Sequence, residues 1–261
     1  MRLKIFGERN TSTNAMRSVF AKNYPQIELL PATVLDIAPE SHKTIQQFDK
    51  LRRGLPDPRL SIPEKEAHID AVFADTGLLN AWKHSALNFD NDESLPHDVY
   101  IILMVRHPMS WLLSLFRKPY HAIYPLEDKF EDFLTQCWPT VARDRLNKII
   151  TTPIDLWNLK LESYKRFYEC YSDTGQVRII KFEDFAWSQK SAISGACRDL
   201  QLSTENFIEL TQSTKEGRKD VNWYRNYYQS EMWRIEVSQL GWQILDHKLD
   251  RELSRYFNYV C

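Results

Sequence analysis

The sequence predicts an α/β protein of three layers, a central parallel sheet with helices on both faces. Three observations predict it. VYIILMV, Val99 to Val105, is an unbroken apolar run between polar residues, as expected of a central parallel strand covered on both faces. LKIF (Leu3 to Phe6) and VRIIKF (Val177 to Phe182) are shorter β-branched or aromatic runs of the same type. Between them, Ile154, Trp157, Leu161, Tyr164 and Tyr168 recur at three- and four-residue steps, as do Leu245, Leu249, Leu253 and Tyr256. Strands that alternate with helices imply parallel pairing and crossover helices.

Taken in order, LKIF is the first strand, GERNTSTN (Gly7 to Asn14) a polar turn, and AMRSVFAKN the start of a helix. The stretch 39–68 is polar and carries Pro56, Pro58 and Pro63, so it reads as a loop or small insertion over the sheet and a candidate for substrate contact. AVFA, Ala71 to Ala74, is a candidate further strand. The central strand then runs directly into VRHPMSWLLS, where Pro108 suits the first turn of a helix.

With 261 residues, 43% of them apolar and 26% charged, the chain can bury one sizeable core, and 1–261 reads as a single domain. A formal charge of -1 argues against a protein that coats nucleic acid, so any bound anion must be gripped by a local cluster. Cys137, Cys170, Cys197 and Cys261 are widely spaced with no CxxC pair, which indicates neither a zinc site nor a disulfide scaffold and suits reduced thiols in the cytoplasm. No apolar stretch approaches the roughly 20 residues of a membrane helix, and no export signal is visible. Nothing in the sequence sets the oligomeric state.

The turn GERNTSTN has the setting of a phosphate loop with different letters. A nucleotide triphosphate loop reads GxxxxGK[ST], its Lys meeting the β/γ-phosphates and its hydroxyl binding magnesium. Aligned on Gly7, this chain has Ser12 for the second Gly, Thr13 for the Lys and Asn14 for the hydroxyl. The P-loop-like order of strand, turn and helix remains, and a helix start flanked by Thr11, Ser12 and Thr13 offers N–H groups and hydroxyls to an anion that needs no metal. The same letters also describe an ordinary capped helix. Arg106 emerges at the carboxyl edge of the central strand, where open α/β sheets bind ligands, and its guanidinium is a fork for phosphate. Ser114 lies about two helical turns further on.

Together these residues resemble the sulfotransferase family that uses PAPS, 3′-phosphoadenosine 5′-phosphosulfate. In that family an N-terminal strand, loop and helix hold the 5′-phosphosulfate; the matching positions here are Arg9, Asn10, Thr11, Ser12, Thr13 and Asn14. A later strand runs into R-x-P-x-x-x-x-x-S, whose Arg and Ser bind the 3′-phosphate, and Arg106, Pro108 and Ser114 reproduce that spacing. KFEDF resembles the family's strand ending in an aromatic-Glu-Asp sequence, which implies a place for Phe182 near the adenine. KEGRKDVNWYRN resembles its basic loop over the 3′-phosphate, so Lys215, Gly217, Arg218 and Lys219 are carried over; a solvated charged turn is the other reading. The resemblance implies PAPS as co-substrate, no metal, and a small-molecule or carbohydrate acceptor.

Sulfuryl transfer also needs a base and cations. AWKHSAL places Lys83 and His84 near where family members carry a catalytic His, so the resemblance implies His84 as general base, with Lys83 and Arg9 stabilising the transferring group. Family loops carry Gly at the position of Ser12, and many carry Lys at that of Asn10; Arg9 would then supply the cation from one residue earlier. Trp82, Trp111, Tyr120, Tyr124 and Trp138 are candidates for lining a sugar or phenol site. A non-catalytic nucleotide-binding module and a P-loop kinase or NTPase are the alternative functions.

Overall fold

The computed structural model describes residues 1–57, 59–89, 94–146, 148, 150–212 and 220–259. Its elements run β1 (Arg2–Gly7), α1 (Thr13–Asn23), β2 (Glu28–Leu29), α2 (Val34–Ile37), α3 (Ser41–Arg52), α4 (Pro63–Phe73), β3 (Val99–Val105), α5 (Pro108–Arg117), α6 (Phe130–Thr135), β4 (Trp138–Pro139), β5 (Ile150–Thr151), α7 (Pro153–Tyr171), β6 (Val177–Lys181), α8 (Phe182–Trp187), α9 (Gln189–Asp199), α10 (Val221–Gln229), α11 (Gln239–Lys248) and α12 (Arg251–Tyr256).

The main sheet has the order β2-β1-β3-β6 with every pair parallel, and β4 pairs separately with β5. All seven residues of β3 are buried because helices cover both faces. Val99, Ile101, Leu103 and Val105 join the core built with α5, α6, α7 and α11, whereas Tyr100, Ile102 and Met104 join the core built with α1 and α9. Each fully buried aliphatic side chain of this kind contributes about 1.5–3 kcal/mol. The three-layer expectation therefore follows directly from the unbroken apolar run. In β1, close approach to β3 demands glycine at the last position: a Cβ on Gly7 would lie 2.6 Å from Met104 Cβ.

Three expectations change. The stretch 39–68 is not a loop but holds α3 and the start of α4. α3 fully buries only Ser41, so it needs little apolar periodicity, and Pro63 occupies the first turn of α4, where its missing N–H leaves no helical bond unmade. AVFA is no strand; its first three residues close α4, and the run was too short to separate strand from helix. The pattern from Leu245 to Tyr256 spans two helices, interrupted because Asp250 caps α12 by accepting from Leu253 N–H at 2.9 Å.

α7 matches its periodic pattern, with Thr152 and Asp155 forming a reciprocal cap and Ile154, Trp157, Leu161 and Tyr164 buried. The same buried face also carries Lys160. α1 starts differently, from a left-handed residue: Ser12 has φ 65° and makes no side-chain cap bond. For a non-glycine residue this region costs about 1–2 kcal/mol, while glycine's extra freedom in the unfolded chain costs about 0.5–1 kcal/mol. Ser12→Gly should therefore match or slightly exceed wild-type stability, and Ser12→Val should lower Tm by more than about 2 °C. Thermal unfolding of both variants checks this; a Ser12→Val protein as stable as wild type contradicts it.

Candidate functional site

β2 and β3 lie on opposite sides of β1, so the connections after β1 and β3 diverge and leave a crevice at the carboxyl edge. A cavity of about 550 Å³ opens there, lined by the loop after β1, the starts of α1 and α8, one side of α5 from Ser110 to Arg117, the helix α10 and the segment Trp82–His84. Among the described lining residues are six cations, Arg9, Lys83, Arg106, Arg117, Lys118 and Arg143, and no carboxylate. In a chain of net charge -1, this is a local concentration of positive charge that favours an anionic ligand.

The loop is shaped by its own bonds. Thr11 is buried, its hydroxyl donating to the Glu8 carbonyl at 2.5 Å, and it is absent from the cavity lining. Thr11 therefore holds the turn rather than facing a ligand, whereas Arg9, Asn10, Ser12, Thr13 and Asn14 line the cavity. Trp111 Nε1 donates to the Arg9 carbonyl at 2.8 Å. The first N–H groups of α1 have no acceptor within the helix and point toward its N-terminal end.

Arg106 lines the cavity with Ser114 and Phe182. Its fork is largely engaged by protein, however. Nε donates to Ser110 Oγ at 2.8 Å, Nη1 to the Asn10 carbonyl at 2.6 Å, and Nη2 to the Ser110 carbonyl at 2.9 Å and Tyr228 Oη at 2.7 Å. The guanidinium also stacks 4.2 Å from the Phe182 ring centroid, and Tyr228 meets that ring edge-on at 4.6 Å. Arg106 thus joins the loop, α5 and α10, with one N–H free of a partner among the described residues. Lys215, Gly217, Arg218 and Lys219 lie outside the described residues.

His84 is buried, and its Nδ1 sits 2.5 Å from the Gly7 carbonyl. A carbonyl only accepts, so Nδ1 carries the proton. Burial, then the charges of Lys83 and Arg9, push the imidazole pKa well below its ordinary value. The ring is consequently neutral at pH 7, with Nε2 left as a bare base. Lys83 Nζ donates to Asn14 Oδ1 at 2.5 Å, linking this segment to α1. The Arg9 guanidinium stacks over Tyr120 at 4.5 Å and makes no hydrogen bond among the described residues. Burial lowers its pKa, yet an arginine stays protonated at pH 7.

Several site residues carried no motif. Tyr228 and Arg143 enter through tertiary packing, and Lys118 with Arg117 ends α5 in LFRKPY, a basic pair that the motif reading passed over. Behind the loop, Lys160 Nζ donates to the His84 carbonyl, bonds Asp144 Oδ1 at 2.6 Å and lies 3.4 Å from Glu8 Oε2. Glu8 Oε1 accepts from Tyr120 Oη and Arg9 N–H, each at 2.6 Å. Arg143 is held by Glu66 and Asp70. Of the aromatic candidates, Trp82 and Tyr120 line the cavity, Trp111 and Trp138 are core, and Tyr124 is exposed outside it.

Among the described residues no group of three or more His, Cys, Asp or Glu is placed to hold a metal, and no helix is long and apolar enough to cross a membrane. No family model and no curated protein matches the chain. Among solved structures, the chain is similar to the sulfotransferase domain from the curacin biosynthetic pathway (13% identity, 99% of this chain and 97% of that one, TM-score 0.42). It is also similar to a sulfotransferase from Alicyclobacillus acidocaldarius (17% identity, 98% of each chain, TM-score 0.42). A third is the sulfotransferase domain from the Synechococcus PCC 7002 olefin synthase (13% identity, 100% of this chain and 95% of that one, TM-score 0.49).

The buried histidines make stability depend on pH. Burial lowers His121 to about 4 and His84 well below its ordinary value, so both are neutral when folded and take up protons on unfolding below about pH 6.5. Their contribution is complete above that pH and is lost as pH falls toward 4. Glu8 and Glu183, pushed up by burial, act in the opposite sense. The check is therefore a comparison: between pH 6.5 and 5, urea-unfolding stability should fall less steeply with acid in His121→Asn than in wild type. Equal slopes would remove His121 as a contributor.

Proposed function

We propose that the chain is a sulfotransferase that takes its sulfuryl group from PAPS and passes it to a hydroxyl or amine of a small-molecule or carbohydrate acceptor. The observation that carries the reading is His84, neutral with Nε2 open, beside Arg9 and Lys83 in a cationic cavity at the carboxyl edge of the sheet. The loop suits an anion without magnesium, because the phosphate-loop Lys and hydroxyl positions hold Thr13 and Asn14. The unengaged guanidinium of Arg9 fits the sulfated end of such a donor. Ser114, the remaining N–H of Arg106 and the basic sequence from Lys215 to Lys219 suit the 3′-phosphate end. The reducing cytoplasm is the compartment we propose, in keeping with the free thiols of Cys137 and Cys197.

PAPS supplies an activated sulfuryl group when bound. His84 Nε2 removes the acceptor's proton as the new S–O or S–N bond forms and the bond to the bisphosphate oxygen breaks. Arg9, Lys83 and the first N–H groups of α1 stabilise the charge that develops on oxygen. Tyr120 and Trp82 hold Arg9 on the acceptor side through their ring faces, 4.5 and 5.9 Å from its guanidinium carbon. The rival is a nucleotide-binding module without turnover, favoured by the extent to which Arg106 is already held by protein.

Two measurements test the proposal. In calorimetry, adenosine 3′,5′-bisphosphate should bind at least about tenfold more tightly than adenosine 5′-monophosphate, since one charge-assisted hydrogen bond contributes roughly 1.5–3 kcal/mol. Equal affinities would end the reading. In a transfer assay over a panel of hydroxyl and amine acceptors, His84→Asn, whose amide can still donate to Gly7, should lose about 10²-fold or more in kcat with bisphosphate affinity nearly unchanged. Full turnover in this variant would exclude His84 as the base, and tight bisphosphate binding without transfer in wild type would favour the binding module.

A further inference from the structure

The chemistry assigned to the cavity requires two segments far apart in sequence to face one reacting group. Arg9 belongs to the loop after β1, and His84 belongs to a coil before β3. Each is fixed locally: Gly7 N–H donates to the Lys83 carbonyl at 3.0 Å, and the His84 ring donates back to Gly7. Those bonds join the two backbones at Gly7, and Lys83 ties the coil to Asn14 of α1 and to the Ala32 carbonyl. None of these reaches Glu8, the side chain on which Arg9 N–H rests, so the loop needs an attachment of its own at that residue.

Lys160 supplies one. It is fully buried in the middle of α7, on the face that otherwise packs Trp157, Leu161 and Tyr164. A methionine would fill such a position without requiring any polar partner. Instead, its single ammonium donates to the backbone carbonyl of His84 and to Asp144, and faces Glu8 Oε2, which has no hydrogen-bond donor among the described residues. Glu8 in turn receives the N–H of Arg9, so one cation reaches the base from one side and the loop from the other.

We infer that Lys160 is a positioning residue, whose buried ammonium holds the His84 backbone and the loop beginning at Glu8 at one fixed angle so that imidazole and Arg9 face the same group. The placement claim concerns the free protein; its effect on turnover rests on the sulfotransferase reading. Buried ion pairs contribute little net stability compared with apolar packing, whereas removing one partner strands the other. A geometric role explains why the charges are there.

Lys160→Met alone strands Glu8 and Asp144, so the decisive variant is Lys160→Met/Glu8→Gln/Asp144→Asn, which neutralises both carboxylates at nearly constant shape. The full chain is labelled with 15N-histidine, and the His84 signals are identified by their loss in His84→Asn. In wild type the ring should keep Nδ1–H and a bare Nε2 from pH 8 to 5.5. Lys83, Arg9 and Lys160 face the ring as cations, and the Gly7 carbonyl accepts from it. In the folded triple variant, loss of the Lys160 grip should mix the two tautomers; because one cation and two carboxylates are removed together, the tautomer ratio rather than the titration midpoint is the readout. The kcat should fall about 10- to 100-fold while bisphosphate affinity stays within about threefold.

Glu8→Gln is the milder second variant. It should keep the His84 tautomer and still lower kcat, because only the loop arm is loosened. The inference is overturned if the triple variant keeps the wild-type His84 tautomer, or regains wild-type kcat along with stability, since Lys160 would then only balance charge. A Glu8→Gln protein with unchanged kcat overturns the loop arm. If wild type transfers no sulfuryl group at all, the function reading fails, and the histidine spectra still decide the positioning claim.

Discussion

Cations gathered along one cavity repel each other, and the rest of this structure is arranged around that repulsion. Two unit charges 4 Å apart interact by about 4 kcal/mol at the effective dielectric near a protein surface. No carboxylate among the described residues lines the cavity to relieve this. Relief comes from behind: Glu66 and Asp70 hold Arg143, and Glu236 holds Arg117. Burial would raise Glu66, but its hydrogen bond with His121 and the charge of Arg143 keep it well below the usual carboxylate range. The front of the cavity stays positive, while Arg117 and Arg143 are balanced from behind.

The same solution constrains the coil that carries Lys83 and His84. A histidine on a loop would ordinarily be mobile, and a base must be placed within hydrogen-bond reach of its proton. Here the coil is fixed by backbone bonds to the Ala32 carbonyl at 3.2 Å and from Gly7 at 3.0 Å. Buried lysines add to this from two sides. Lys4 on β1 donates to the carbonyls of Pro31, Leu79 and Ala81, just before the site, and burial lowers its pKa to about 7. Lys160 does so from α7. Lysine is suited to this work because one ammonium offers three donors at the end of an apolar stem.

Arg106 shows how a binding residue can also be structural. Its spacing with Ser114 drew attention to it as a phosphate fork, and it does line the cavity. It also bonds the Asn10 carbonyl, α5 and Tyr228, so the loop and α10 meet on one guanidinium. An anion arriving there would find a donor set already oriented, at the expense of contacts that now close the site.

What the sequence determined by itself is whatever depends on neighbours along the chain. The apolar run Val99–Val105 dictated a doubly covered strand, the steps from Ile154 to Tyr164 dictated α7, and the turn after Leu3–Phe6 with the Arg106 spacing pointed to the carboxyl edge, where the cavity opens. The helices in 39–68 escaped because their exposed faces need no apolar period, and the left-handed Ser12 escaped because no letter announces a positive φ. Tertiary structure alone decided the His84 tautomer, the inward turn of Thr11, the engagement of Arg106 and the convergence of Glu8, Asp144 and Lys160. Each of these is a contact between groups distant in sequence or a solvation effect created by burial. Periodicity encodes which face of an element is covered, but which charge ends up buried beside which is set only when the layers close.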